Sequence, residues 1–204
     1  MSFNVGIASE EDARHIPDIL REMEISAKER GTGIARRTAA YIREKISENK
    51  VIIATSGNGE WAGFCYIEIW DDKEYVANSG LIVSRKYRNS GLASLIKEKT
   101  FSHSRKYFPK AKIFGLTTGL AVMKINSKLG YVPVTYSELT QDEVFWQGCK
   151  TCVNYDILMS KNKKNCMCTA MLFDPELGRN ESLRSGNARF FSKLDKIKRL
   201  LWKK

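Results

Sequence analysis

The sequence predicts an α/β fold, a mixed sheet with helices on both faces. Three observations lead there. Val51–Ala54, Trp61–Trp70 and Tyr75–Val83 read as strands joined by the short turns Ser56-Gly57-Asn58-Gly59 and Asp71-Asp72-Lys73, an antiparallel meander. Lys112–Thr117 and Tyr131–Val134 flank a helical stretch, a later strand–helix–strand crossover. Apolar residues recur at helical spacing in the segments between these runs.

Taken in order, Asn4–Ala8 is a short strand. Ser9 is an N-cap, and Glu10, Glu11 and Asp12 suit the positive end of the helix that follows. Ala13, Ile16, Ile19, Leu20 and Met23 form its apolar stripe, with Pro17 a kink or the end of its first turn. Gly31-Thr32-Gly33 breaks the pattern. Thr38–Glu48 is a second helix with Ile42 and Ile46 on one face. After the meander, Gly91–Lys106 is helical with Leu92, Leu95 and Ile96 inward, and Pro109 marks its end. Leu120–Leu129 is another helix, closed by Gly130.

The chain has 204 residues, of which 43% are hydrophobic, enough for a sizeable core. No apolar run is long enough to span a bilayer, and Met1–Val5 lacks the shape of a secretory signal. With five cysteines and no export signal, a reducing cytoplasm is expected. The formal charge of +11 is unevenly placed: residues 161–204 carry twelve basic against four acidic residues. The body, 1–160, is therefore nearly balanced, and 161–204 reads as a basic extension. No nucleic-acid partner is expected, because no RNA-binding motif or interleaved aromatics accompany the charge.

The strongest local signal is Val83-Ser84-Arg85-Lys86-Tyr87-Arg88-Asn89-Ser90-Gly91-Leu92-Ala93. It joins an apolar strand to an amphipathic helix. Free N–H groups at a helix start bind phosphate oxygens. Glycine permits close approach, and Arg88 adds a permanent charge. No Gly-Lys-Ser/Thr follows, so this is not a P-loop. The first glycine of a dinucleotide fingerprint is also missing.

Arg88-x-x-Gly91-x-Ala93 resembles the coenzyme-A-binding motif of the GNAT N-acetyltransferases, Arg/Gln-x-x-Gly-x-Gly/Ala. The flanking pattern is similar over most of residues 3–135, including Lys128-Leu129-Gly130-Tyr131. The resemblance implies acetyl-CoA as cosubstrate. The pantetheine arm would lie on Leu81-Ile82-Val83, and the pyrophosphate on the N–H groups of Asn89, Ser90, Gly91, Leu92 and Ala93. The fourth and fifth strands would splay to admit the thioester. Many family members carry a tyrosine that protonates the thiolate where this chain has Asn126, so no general acid is assigned.

Within the family, three segments resemble the acetyltransferase domain of the N-acetylglutamate synthases. They are Gly33-Ile34-Ala35-Arg36-Arg37-Thr38, Leu116-Thr117-Thr118 and Gly130-Tyr131-Val132-Pro133-Val134. This implies that Arg36 or Arg37 grips a substrate carboxylate, with Thr117 nearby. The synthases carry an arginine after Leu-Thr-Thr where this chain has Gly119, and their kinase domain does not fit in 204 residues. The expected acceptor is a small-molecule amine, an amino acid such as glutamate, as in arginine biosynthesis. The acyl group is acetyl or a larger acidic one such as succinyl. A protein or polyamine amine and a catalytically silent CoA-binding module remain as alternatives.

Amine attack requires a neutral nitrogen and therefore a base or a water chain. Glu68 is the candidate base, directly or through a water; the alternative is that Asn78 and Ser79 orient a water instead. His15 and His103 are expected to be surface or packing residues. Cys149-x-x-Cys152 and Cys166-x-Cys168 present four thiols in two pairs. A strand at Val153–Leu158 and a turn at Asn162–Asn165 would bring them together as a structural zinc site, as reduced thiols, or as a redox pair. Residues 174–188 read as a linker. Phe190, Leu194, Ile197 and Leu201 stripe a basic helix suited to an acidic membrane surface, a partner, the chain's own domain or a second subunit in a homodimer.

Overall fold

The computed structural model describes residues 2–30 and 35–177. The chain divides into two units, Met1–Phe173 and Asp174–Lys204. The first contains every helix and strand discussed below, so the body runs on to Phe173 rather than ending at 160. In the second, the backbone N–H of Glu176 donates to Asp174 Oδ1. Most of the expected linker and the whole basic C-terminal helix lie outside the described residues.

Strand β1 (Phe3–Ile7) leads into a 3₁₀ turn at Glu10–His15, whose Ser9 and Asp12 form a reciprocal capping box. Helix α1 (Ile16–Arg30) follows, with Pro17 in its first turn, where a missing N–H costs nothing. Helix α2 (Ala39–Ser47) is capped by the Thr38 hydroxyl, which accepts from the N–H of Tyr41. The meander is β2 (Val51–Ser56), β3 (Trp61–Trp70) and β4 (Tyr75–Val83). Then come α3 (Leu92–Tyr107), β5 (Lys112–Thr117), α4 (Leu120–Lys128) and β6 (Val132–Val134). Two short helices, α5 (Glu143–Gln147) and α6 (Tyr155–Ser160), precede β7 (Thr169–Phe173).

The strands form one seven-stranded sheet in the order β1-β2-β3-β4-β5-β7-β6. All neighbours are antiparallel except β4 and β5. Strand β7, which sequence reading did not anticipate, inserts between β5 and β6. Helices cover both faces, as expected. Ile16, Ile19 and Met23 of α1 and Ile42 and Ile46 of α2 pack on Val51, Ile53 and Phe64. On the opposite face, Leu92 and Ile96 of α3 pack on Ile52, Ala54 and Cys65. Leu95, expected inward, is instead 47% exposed, because the buried stripe of α3 runs through Leu92, Ile96, Lys97 and Thr100. The expected strand at Val153–Leu158 is largely helical: α6 buries Leu158 in a cluster with Phe114, Tyr136 and Trp146.

Candidate active site

The end of β4, the start of α3 and the mouth between β4 and β5 define the site. After Val83 the chain makes a 3₁₀ turn at Arg85–Tyr87, and then Asn89 (φ 62°) and Gly91 (φ 82°) adopt left-handed backbone to reverse it into α3. Gly91 is the N-cap, and a Cβ there would meet open space, so only its backbone angle demands glycine. The first N–H groups of α3 have no intrahelical partner, and no acidic residue occupies its first turn. The positive helix end is therefore chemically suited to an anion. Arg88 does not add its guanidinium there. Its Nη2 lies 2.6 Å from Glu22 Oε1 and donates to Ser26 Oγ at 2.9 Å, tying the turn to α1. Arg85 pairs with Glu29 of the same helix.

Strands β4 and β5 pair in parallel only through Tyr75↔Lys112, Val76↔Ile113 and Ala77↔Phe114, and then diverge. Strand β5 stays paired with β7 along its other edge, so the sheet splits on the β4 side. Leu81, Ile82 and Val83 continue β4 past the split, still laddered to β3 through Ile82↔Phe64 and Val83↔Gly63. Their other edge is thus open to an extended arm. A bulge sits beside the split: between the pairs Phe64↔Ile82 and Tyr66↔Ser79, Cys65 faces two residues, Gly80 and Leu81. Gly80 has φ 66°, and a Cβ there would fall 2.3 Å from the Tyr66 ring. No other residue suits both constraints.

The cleft at the split brings together Glu68, Asn78, Thr117 and Arg37 from four separate elements. Side chains alternate across a strand, so Ser79 and Glu68 share one face while Asn78 takes the other. Glu68 is nearly buried. Its Oε1 accepts from Tyr41 at 2.5 Å and its Oε2 from Ser79 at 2.7 Å. Burial and the Glu68 charge push the Tyr41 hydroxyl well above the usual tyrosine range, so it stays a donor. Arg37, on the same face, donates from Nε to Tyr66 Oη at 2.9 Å and from Nη1 to the carbonyls of Gly148 and Arg36. Burial opposes its charge, but Tyr66 and Glu68 hold its pKa above the arginine value. Arg36 is exposed, and its backbone N–H donates to Thr151. Of the pair that the sequence left open, Arg37 lines this cleft and Arg36 does not. Thr117 is half-buried, with its hydroxyl accepting from the N–H of Gly119.

Asn78 belongs to a different cluster, on the α3 face. Its Nδ2 donates to Ser104 Oγ at 3.0 Å, and its Oδ1 accepts from Tyr131 at 2.9 Å and faces Lys97 Nζ at 3.5 Å. Asn78 and Ser79 therefore do not jointly orient a water. Lys97, Tyr41 and Tyr66 were not anticipated. Lys97 left one legible sign, a lysine beside Ile96 on the apolar stripe of α3. Asn126 lines the same cleft, 1% exposed, with its Oδ1 unpartnered among the described residues. His15 and His103 are both buried, and neither lines the cleft.

Cys149, Cys152, Cys166 and Cys168 all line the cleft as free thiols. The expected zinc ligand set is not assembled. Among the described residues, no three His, Cys, Asp or Glu side chains are placed to hold a metal ion. The hairpin that would have closed the set is replaced by a turn and α6. The Asn154 peptide lies between two of the thiols, with its N–H donating to Cys152 Sγ and its carbonyl accepting from Cys166 Sγ. Burial, then the neighbouring thiols, pushes Cys149 up to about 11 and Cys168 up to about 12, so both stay protonated near neutrality.

Solved structures share this architecture. N-acetylglutamate synthase from Neisseria gonorrhoeae, complexed with coenzyme A and N-acetyl-glutamate, superposes at a TM-score of 0.61 with 15% identity. The match covers 85% of this chain and 35% of that one, so this chain spans about a third of the synthase. A Mycobacterium tuberculosis protein solved in complex with CoA gives a TM-score of 0.60 at 16% identity, covering 84% of this chain and 98% of that one. An acetyltransferase of the GNAT family from Staphylococcus aureus gives 0.55 at 14%, covering 70% and 92%. By sequence, no family model and no curated protein matches. The chain has the fold of the GNAT acetyltransferases.

Proposed function

We propose that the chain is an acyl-CoA-dependent N-acyltransferase whose acceptor is a small amine bearing a carboxylate, with an amino acid such as glutamate the foremost candidate. One juxtaposition carries this reading: an anion cradle at the start of α3 stands beside a sheet split that opens onto the half-buried guanidinium of Arg37.

The N–H groups from Asn89 to Ala93 would hold the pyrophosphate, and the free edge of Leu81-Ile82-Val83 the pantetheine arm. The thioester carbonyl then falls at the bulge, where strand N–H groups can stabilise the oxyanion. Arg37 would take the acceptor carboxylate in its planar fork and so point the amine inward. Glu68, held by Tyr41 and Ser79 on the same face, removes the amine proton directly or through a water. A bound N-acetyl-glutamate in the gonococcal synthase supports the acceptor class. A polyamine is disfavoured by a cation at the acceptor end.

The test is a thiol-release assay over a panel of amino acids and amines with acetyl-CoA and succinyl-CoA, beside calorimetric titration of CoA. Turnover confined to carboxylate-bearing amines is expected. CoA binding without turnover of any amine would make the chain a silent binding module, and preference for a polyamine would reverse the acceptor assignment.

A further inference from the structure

The leaving thiolate needs a proton, and of the two cations that line the cleft among the described residues, Arg37 and Lys97, only a lysine can release one near neutral pH. We propose that Lys97 of α3 is the general acid of the transfer, protonating the coenzyme A sulfur as the C–S bond breaks. The proposal rests on the acyl-transfer reading above.

Lys97 is 2% exposed, yet it lines the cleft where β4 and β5 part. It belongs to the face that carries α3, the helix whose N-terminus is the anion cradle. A coenzyme held there by its pyrophosphate runs its arm along β4 towards this lysine. Buried lysines are ordinarily paired with a carboxylate. Among the described residues, Lys97 has none. Its contacts are Asn78 Oδ1 at 3.5 Å and the face of Tyr131 at 5.4 Å. An ammonium has three donors, so this leaves capacity for a further acceptor. Asn126, on α4, lines the same cleft and offers an unpartnered oxygen but no acidic proton.

The groups facing Lys97 are Cys65 from β3, Asn78 from β4 and Tyr131 after α4. Burial lowers its pKa from the lysine value, and the Cys65 thiol opposes this. The direction suits the role, because a weakened ammonium is a stronger acid, nearer to a thiol's own pKa of about 8.5. Burial likewise holds Tyr131 and Cys65 above their usual ranges, so neither competes as donor. In the step itself, the C–S electron pair becomes a sulfur lone pair, the Nζ–H bond breaks and an S–H bond forms. Lys97 is left neutral. The carbonyl re-forms from the oxyanion as the C–S bond breaks, and the acceptor ammonium gives up two protons in becoming an amide, both passed through Glu68 to solvent; Lys97 recovers one of them and the other is released, so the cycle balances.

The experiment compares wild type with Lys97→Met and Lys97→Arg, using the best acceptor of the amine panel. An acid must be protonated, so wild-type kcat should fall as pH rises through the Lys97 pKa. Lys97→Met should lower kcat by about 10²–10⁴-fold and abolish that alkaline limb. Its CoA dissociation constant by calorimetry should stay within about threefold of wild type, since an apolar side chain of similar length suits a buried site. Lys97→Arg keeps the charge but cannot release its proton near neutral pH, so it should also lose the limb and stay at least about tenfold impaired. Three results would overturn the proposal: kcat within about threefold of wild type in Lys97→Met, recovery of kcat in Lys97→Arg, or a loss of CoA affinity that accounts for the whole effect. If wild type itself transfers no acyl group, the acyl-transfer reading falls and this assignment with it. If wild type and Lys97→Met turn over alike, only this assignment falls.

Discussion

Replacing Arg37 by alanine isolates the acceptor end of the cleft. The guanidinium uses Nε on the Tyr66 hydroxyl and Nη1 on two backbone carbonyls, while Nη2 has no partner among the described residues. A carboxylate approaching Nη2 and sharing Nη1 would gain two charge-assisted hydrogen bonds in a half-buried setting. Bonds to charged groups are worth about 1.5–3 kcal/mol each, and losses from one group are not additive, so truncation should cost about 2–4 kcal/mol of acceptor binding. At about 1.4 kcal/mol per decade, the acceptor KM should rise by roughly 30- to 700-fold. Lost contacts to Tyr66 and Gly148 should also lower stability by about 1–2 kcal/mol. The assay is steady-state kinetics with the best amino-acid acceptor and with its carboxamide analogue, beside calorimetric CoA binding. Wild type should discriminate strongly between the two acceptors, and Arg37→Ala hardly at all, because the group that reads the carboxylate is gone. An equal rise in the acceptor and acyl-CoA KM values would indicate general loosening. Undiminished discrimination would refute the role of Arg37 outright.

Three further outcomes follow from the geometry. Gly91→Glu should abolish CoA binding by calorimetry, because a side chain at φ 82° is strained and its carboxylate repels the diphosphate at the cradle; unchanged affinity would count against the cradle. Gly80→Ala should destabilise the fold by about 2–4 kcal/mol in denaturant unfolding, since its Cβ would press into the Tyr66 ring and its φ is left-handed; a loss under about 0.5 kcal/mol would show that the bulge relaxes freely. Iodoacetamide should modify Cys149 and Cys168 slowly at pH 7, and mass spectrometry should show the rate rising about tenfold per pH unit until each pKa is approached. That follows because the thiolate reacts and both thiols are pushed up, to about 11 and about 12; rapid modification at pH 7 would contradict it.

The cradle was legible because its chemistry is local. A strand, a turn with Gly91 and a helix start are consecutive in sequence, and orphan N–H groups are a property of any helix N-terminus. The meander turns were readable for the same reason. The role of Arg88 was not, because its partners Glu22 and Ser26 lie on a helix far upstream, and no spacing rule links them. Lys97 showed in the sequence only as a lysine beside Ile96, and its burial is decided by the sheet beneath α3. Residues 153–158 alternate like a strand, but they coil because Leu158 finds its apolar neighbours by helical packing beside Trp146 and Tyr136.

The order of most elements, the mixed sheet and the left-handed turn at Gly91 into α3 were set by the sequence, since periodicity, caps and turns act over a few residues. Tertiary structure alone decided that β7 enters between β5 and β6, that Arg37 rather than Arg36 faces the cleft, and that Glu68 and Asn78 serve opposite faces of the sheet. It also decided that the four cysteines line the cleft without being placed to hold a metal ion. These outcomes depend on contacts between residues tens of positions apart, where burial and register outweigh any preference written in the neighbouring chain.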